Sequence, residues 1–493
     1  MPKPCPAPER SSGRRDRLRT WWPLLGAAML ACSGQGRALA QEMPSPVLTR
    51  FIPVARGVPG VMYEPVAKNA KAETAVLIMH SAGDYLTFPG CSELAKRGYR
   101  ALCVNNSTSK SGAYNDGIFD NVLLELKAAM QVLRREAGVK QVFLLGHSGG
   151  GSVMSAYQMI AEQGVAACQD AQKIWKCSSD LAGLPKADGL MLIDSNWGLG
   201  AMTLFSLDPA IRDENSGTRL DPKLDMFNPA NGFKPEGSHY DPAFRRRFLS
   251  AVARRNNGLI DEAQHRLSAL AKGEGPFEDD APFTIPGAVL LGSNNKLFAQ
   301  DTTLMSHTSQ AYPLLHADGT VTQEVIRSVR VPENTRNLSP SLLRGALKTS
   351  LRSYLNTFAI RVTPDFDYDA SGVRGIEWQS SYASPPGNVQ AISAPLLVMG
   401  MTGHWEFLAA ETIYNLASSK EKSIAFVEGA DHLFVTCRPC ESKPGQFGDT
   451  QAKTYDFIAN WLDKHLSGGW PTGSTAIMPP LSTAEQKPAT VAE

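Results

Sequence analysis

From residue 74 onward the chain alternates short apolar, β-rich runs with longer stretches whose apolar positions recur every three or four residues. That alternation predicts an α/β fold, a mostly parallel sheet covered by helices on both faces. Residues 75–79, 99–105, 141–145 and 189–193 read as buried strands. Between them the pattern predicts a short helix over 90–97 and a long one carrying Ile118, Val122, Leu126, Met130 and Leu133, capped by Asp116 and stopped by Gly138. A third helix is expected over 152–163. The alternation then breaks. Residues 197–390 carry helical patterns at 241–256, 260–271 and 340–360, separated by long connections rich in Pro, Gly and Asn. Strand character resumes at 395–399 and 422–427, and an amphipathic helix over 452–466, stopped by Gly468, closes the pattern. The expected organisation is a first core part at 41–196, a mainly helical cap or lid inserted at 197–390, and a second core part at 391–469. Residues 470–493 have no periodicity and read as a disordered tail.

Composition narrows the class. The 493 residues are 43% hydrophobic and 20% charged, with 49 Lys and Arg against 48 Asp and Glu, which argues for a globular protein and against a disordered, fibrous or strongly basic one. The N-terminus alters the balance: four arginines (Arg14, Arg15, Arg17, Arg19) precede an apolar run over 21–32, and Ala38-Leu39-Ala40 precedes Gln41. This order is that of a secretory signal peptide over 1–40, and the mature protein is expected to be exported, periplasmic or secreted. Arg14-Arg15 and the 29–32 stretch leave twin-arginine export and a lipid anchor as variants of that reading. A helix over the apolar run would cover roughly 18 Å of a roughly 30 Å hydrocarbon core, so no membrane span is expected. Cleavage after Ala40 removes seven basic and two acidic residues and leaves the mature chain at net −4, so no nucleic-acid partner is implied.

Six cysteines follow Ala40, an even number that suits disulfides in an exported chain. Cys168 and Cys177 make the best pair. Cys437-Arg438-Pro439-Cys440 has redox or half-zinc spacing but neither context, and is read as a loop-stapling disulfide, with thiol-disulfide chemistry as the rival. No zinc, calcium or nucleotide-phosphate motif is present, and no metal or cofactor is implied.

The strongest chemical signal is Gly146-His147-Ser148-Gly149-Gly150, which joins the end of a buried strand to the start of a helix. A sharp strand-to-helix turn strains the serine backbone and leaves no room for side chains at 146 and 150, so Ser148 is lifted into the open as a nucleophile. The amide of Gly149, at a helix N-terminus, can donate to an oxyanion. Here the chain resembles the α/β-hydrolase superfamily over roughly 60–196 and 391–466. The resemblance implies a second oxyanion amide in the turn His80-Ser81-Ala82-Gly83, assigned to Ala82, with the His80 side chain a packed strand-end group. It implies a base in the loop after the last strand, where Glu428-Gly429-Ala430-Asp431-His432 stands. Of nine histidines, only His432 has that order and position.

The acid departs from the family's pattern. No aspartate follows the strand ending near Gly400, and Glu406 is the nearest carboxylate and the favoured one; Asp194, at the end of the strand before the insertion, is the alternative. Asp431 adjoins His432 in the chain, and neighbouring side chains diverge. The insertion would shape the pocket, with Trp197, Phe366, Tyr368, Trp378, Tyr382 and Trp405 as candidate lining. The resemblance thus implies an exported serine hydrolase that cleaves a carboxylic ester, small or polymeric, by a Ser-His-acid triad through an acyl-enzyme. A thioesterase, an amidase, an acyltransferase and a catalytically silent binding protein of the same fold remain open.

Overall fold

A computed structural model describes residues 46–67, 69–108, 118–214, 219–288, 296–332 and 346–466. The stretch read as a signal peptide, Asp116, Gly468 and the stretch read as a C-terminal tail lie outside the described residues.

Fourteen strands run in chain order among the described residues. The first six are β1 (Val47–Ala55), β2 (Val58–Pro65), β3 (Thr74–Met79), β4 (Arg100–Val104), β5 (Gln141–Ser148) and β6 (Gly189–Ser195). Then come β7 (Pro282–Pro286), β8 (His307–Leu315), β9 (Val321–Arg327), β10 (Ala346–Ser350), β11 (Val362–Tyr368), β12 (Val373–Ile376), β13 (Leu396–Met401) and β14 (Lys422–Val427). Ten of them form one sheet in the order β1-β2-β4-β3-β5-β6-β13-β14-β8-β9. β2 runs antiparallel to both neighbours, β8 and β9 form an antiparallel hairpin, and the pairings between β4 and β8 are parallel. The first eight places, with only the second strand reversed, are the α/β-hydrolase topology, and the chain has that fold.

Strands β3, β6 and β13 are buried along their whole length, as a sheet covered on both faces requires. Alternate side chains serve opposite layers. Ala75, Leu77, Leu144 and Leu192 pack with the apolar faces of α2 (Phe119–Arg135) and α3 (Gly150–Gln163), whereas Val76, Ile78, Phe143 and Leu145 pack with α1 (Pro89–Lys96) and the closing helix Thr450–Asp463.

The stretch 197–390 holds six strands beside its helices. β8 and β9 extend the central sheet beyond β14, turning at Asp318-Gly319, where Gly319 sits at φ 85°. Where a helix was expected over 340–360, the described part is β10, paired with β7, and then a short helix at Leu351–Ser353 that continues as a π-helical turn at Tyr354–Phe358. Leu347 and Thr349 point inward while Lys348 points out, a period of two too short to stand out in the sequence. Conversely, two expected helices are one: α5 (Pro242–Leu270) runs unbroken through Asn256-Asn257-Gly258. The two asparagine side chains donate to the carbonyls of Ile360 and Val362, so tertiary bonds hold a segment whose local preference is to break.

Candidate active site

β5 continues to Ser148 and α3 opens at Gly150, so the chain reverses within two residues. Ser148 takes φ 55°, a left-handed value that costs a residue with a side chain roughly 1–2 kcal/mol. The crowding that requires glycine on either side is explicit. A Cβ at Gly146 would lie 2.7 Å from the Gly151 Cα, and one at Gly150 would lie 2.7 Å from the Met79 carbonyl oxygen. Ser148 itself is half-buried and opens onto a cleft of about 220 Å³ shared with Gly149, His80, Glu406 and His432.

The neighbouring strand ends in the same manner. Asp194, the sixth residue of β6, sits at φ 43° with its carboxylate fully buried. Oδ1 accepts the Met401 amide at 3.0 Å, and Oδ2 accepts the Nδ1–H of His432 at 2.7 Å. Glu406, which opens the helix Phe407–Leu416, is also buried, but its Oε2 stands 3.3 Å from the same Nδ1 and has no hydrogen-bond partner among the described residues. The hydrogen bond from His432 therefore runs to Asp194, where the sequence reading favoured Glu406 as its partner. The cause is the sheet order: β6 and β13 are adjacent, so the end of β6 lies beneath the β13 loop and within reach of the loop after β14. Asp431 turns away and accepts the Leu433 amide within its own loop.

His147 ties the serine turn to the loop of His432. Its Nε2–H donates to the His432 carbonyl oxygen at 2.7 Å, and its Nδ1 accepts from the Tyr85 hydroxyl. The residue before Ser148 thus anchors the backbone of the loop that carries His432.

Burial would lower the pKa of His432, but the carboxylates of Glu406 and Asp194 outweigh it and hold the group up at about 9. Burial would raise Asp194, but His404 beside it and the hydrogen bond from His432 hold it down at about 2. Glu406, without such donors, is pushed up to about 7 by burial and by the nearby Asp194 charge. The two carboxylates thus differ in character: one is an anion fixed by donors, the other holds its proton to near neutrality. Ligand atoms of Asp194, His404, Glu406 and His432 lie within 4.8 Å of one another, a spacing a metal ion could bridge.

The expected oxyanion donors fare differently. Gly149 caps the start of α3, where first-turn amides lack helical acceptors. The Ala82 amide instead donates to His80 Nδ1 at 3.0 Å, a bond the sequence did not announce. Of the aromatic candidates only Trp405 lines the cleft, beside Leu199 and Met202. Phe366 and Tyr368 pack against Phe205, Trp197 is buried and donates to Thr412, and Tyr382 donates to Asp120. Three polar lining residues were not foreseen: Asn196, His404 and Lys296, whose Nζ lies 5.6 Å from the Trp405 ring centre. His404 stands two residues before Glu406 in a loop already singled out, whereas Lys296 comes from the insertion, without a motif.

Disulfides join Cys91 to Cys103, Cys168 to Cys177 and Cys437 to Cys440. The last closes a turn just beyond His432, as a staple rather than a free thiol pair. No helix among the described residues is long and apolar enough to cross a membrane.

No family model matches the chain. No curated protein matches it either. Solved structures with related folds include a soluble variant of monoglyceride lipase from Saccharomyces cerevisiae (12% identity, 87% of this chain and 99% of that chain, TM-score 0.38). They also include brefeldin A esterase (12%, 88% and 81%, 0.37) and an esterase/lipase from an uncultured bacterium (10%, 85% and 85%, 0.37). The fold assignment rests on the strand order itself.

Proposed function

We propose that the protein is an exported serine hydrolase that cleaves a carboxylic ester through an acyl-enzyme, with Ser148 as nucleophile, His432 as base and Asp194 as the acid that orients it. The observation that carries this reading is the 2.7 Å hydrogen bond from His432 to buried Asp194, at the wall of the cleft onto which strained Ser148 opens. With Nδ1–H given to Asp194, the neutral ring presents Nε2 as its acceptor. Ser148 Oγ bonds to the ester carbonyl carbon while its proton passes to His432 Nε2. The C–O bond to the alcohol then breaks as that proton moves to the leaving oxygen. Water repeats the sequence on the acyl-enzyme and releases the acid. Asp194 stays ionised throughout and stabilises the imidazolium. Three disulfides support an oxidising destination for the chain.

A fluorophosphonate probe tests the nucleophile: it is expected to label the wild type and not Ser148→Ala, whose ester turnover should fall by roughly 10⁴-fold or more. A folded sample that takes no label would favour the silent binding protein. A cleft of about 220 Å³ lies below the roughly 300–1,000 Å³ usual for drug-sized ligands, so short-chain p-nitrophenyl esters should outrun long-chain and polymeric ones.

A further inference from the structure

His80 follows β3 and sits across the cleft from His432. Its ring stacks on Tyr85 with centroids 4.6 Å apart, which fixes its plane. Nδ1 receives two backbone amides, Ala82 at 3.0 Å and Gly83 at 2.6 Å. A ring nitrogen that accepts carries no proton, so the single proton of the neutral imidazole stands on Nε2. That nitrogen faces the serine turn: a Cβ placed on Gly149 would come within 3.2 Å of it. Among the described residues Nε2 has no acceptor, and His80 lines the same cleft as Ser148 and Gly149. Burial, with the positive His432 nearby, holds the His80 pKa down at about 3, so the ring stays neutral at any pH the enzyme would work in.

We propose that the Nε2–H of His80 is the second oxyanion donor, acting beside the Gly149 amide in the role the fold ordinarily gives to a backbone amide of this turn. This rests on the hydrolase reading above. The Ala82 amide is engaged on Nδ1, together with the Gly83 amide. The same bond that occupies Ala82 sets the tautomer that arms Nε2. When Ser148 Oγ adds to the carbonyl carbon, the oxygen gains the electron pair of the C=O π bond and lies between two N–H groups. His80 gives no proton away and is unchanged when the carbonyl re-forms. A neutral imidazole suits the task because it offers a fixed N–H dipole without the proton that an imidazolium would surrender.

The discriminating variant is His80→Asn, whose side-chain oxygen reaches the place of Nδ1 and can still accept the turn amides, while nothing replaces Nε2–H. For a p-nitrophenyl ester, kcat should fall by about 10²–10³ with KM within about twofold, and affinity for a trifluoromethyl ketone should fall by a similar factor. His80→Gln, which can return an N–H near the Nε2 position, should recover part of the loss. A purely structural histidine would lower the melting temperature of both variants and leave the kcat of the folded fraction within about threefold of wild type; that result overturns the proposal. Nitrogen-15 spectra of the wild type provide a test that needs no variant to fold, since an Nδ1–H tautomer at His80 also overturns it. If the wild type takes no fluorophosphonate label and turns over no ester, the hydrolase reading fails and carries this role with it. An active wild type matched by His80→Asn removes only the role of His80.

Discussion

Strands β5 and β6 lie side by side, and each carries at its carboxyl end a non-glycine residue at positive φ, Ser148 at 55° and Asp194 at 43°. Only the first bend is written in the sequence. At Ser148 the turning chain passes so close to α3 and to β3 that glycine is needed at 146 and 150, and the crowding leaves a motif behind. At Asp194 the strain is met by hydrogen bonds, from the Met401 amide and from His432, and these come from residues more than 200 positions away. A bend enforced by steric crowding is legible locally, whereas one enforced by distant donors is not.

The largest effect that could break this comparison is on Asp194. Asparagine tolerates left-handed φ, so Asp194→Asn leaves the bend undisturbed and changes only the chemistry. Its Oδ1 can keep the Met401 amide, but its NH₂ would face His432 Nδ1 and drive the ring to the wrong tautomer. Ester turnover should fall by about 10⁴ with the fold intact, by analogy with the same change in a serine protease triad. Glu406→Gln should hold its maximal rate within about tenfold. If steady-state kinetics reverse that order, Glu406 is the acid and the geometric reading of Asp194 is wrong.

The same contrast explains what the sequence did and did not disclose. The strands of the core and the serine turn depend on neighbours in the chain, and their apolar runs and glycines stand in plain order from residue 74. Glu406 was favoured over Asp194 because it is near the expected place in the chain, and only the adjacency of β6 and β13 brings Asp194 into hydrogen-bond contact with His432. Within 197–390 the controlling contacts are tertiary. Asn256 and Asn257 reach across to Ile360 and Val362, β10 finds β7 some 60 residues away, and Lys296 enters the cleft from a segment with no motif. The β8–β9 hairpin had a readable Asp318-Gly319 turn, but its strands look polar because their outer faces are exposed.

A smaller effect sharpens the difference between the two carboxylates. As the proposed base, His432 must be neutral to accept a proton from Ser148, and Glu406 and Asp194 hold its pKa at about 9, so kcat/KM should rise through the alkaline range rather than near the ordinary histidine value of 6.5. Glu406 loses its own proton at about 7 and from there upward adds negative charge beside the imidazolium. Glu406→Gln removes that charge, favours the neutral ring, and should move the ascending limb toward acid by about one pH unit or more. A limb that stays in place, measured as kcat/KM from pH 5 to 10, would mean that Asp194 alone sets the base.

The smallest effect concerns the backbone of the serine turn. Ser148→Ala removes the nucleophile and keeps a Cβ at φ 55°, whereas Ser148→Gly removes both. Left-handed φ costs a residue with a side chain roughly 1–2 kcal/mol, and glycine loses roughly 0.5–1 kcal/mol more in ordering, so the glycine variant should be the more stable by about 0.5–1 kcal/mol in urea unfolding. Neither variant carries the hydroxyl, so the comparison reads the backbone alone. Equal midpoints would show that the surrounding glycines have already relieved the bend, and that the serine is exposed by the path of the chain rather than held there against a backbone cost.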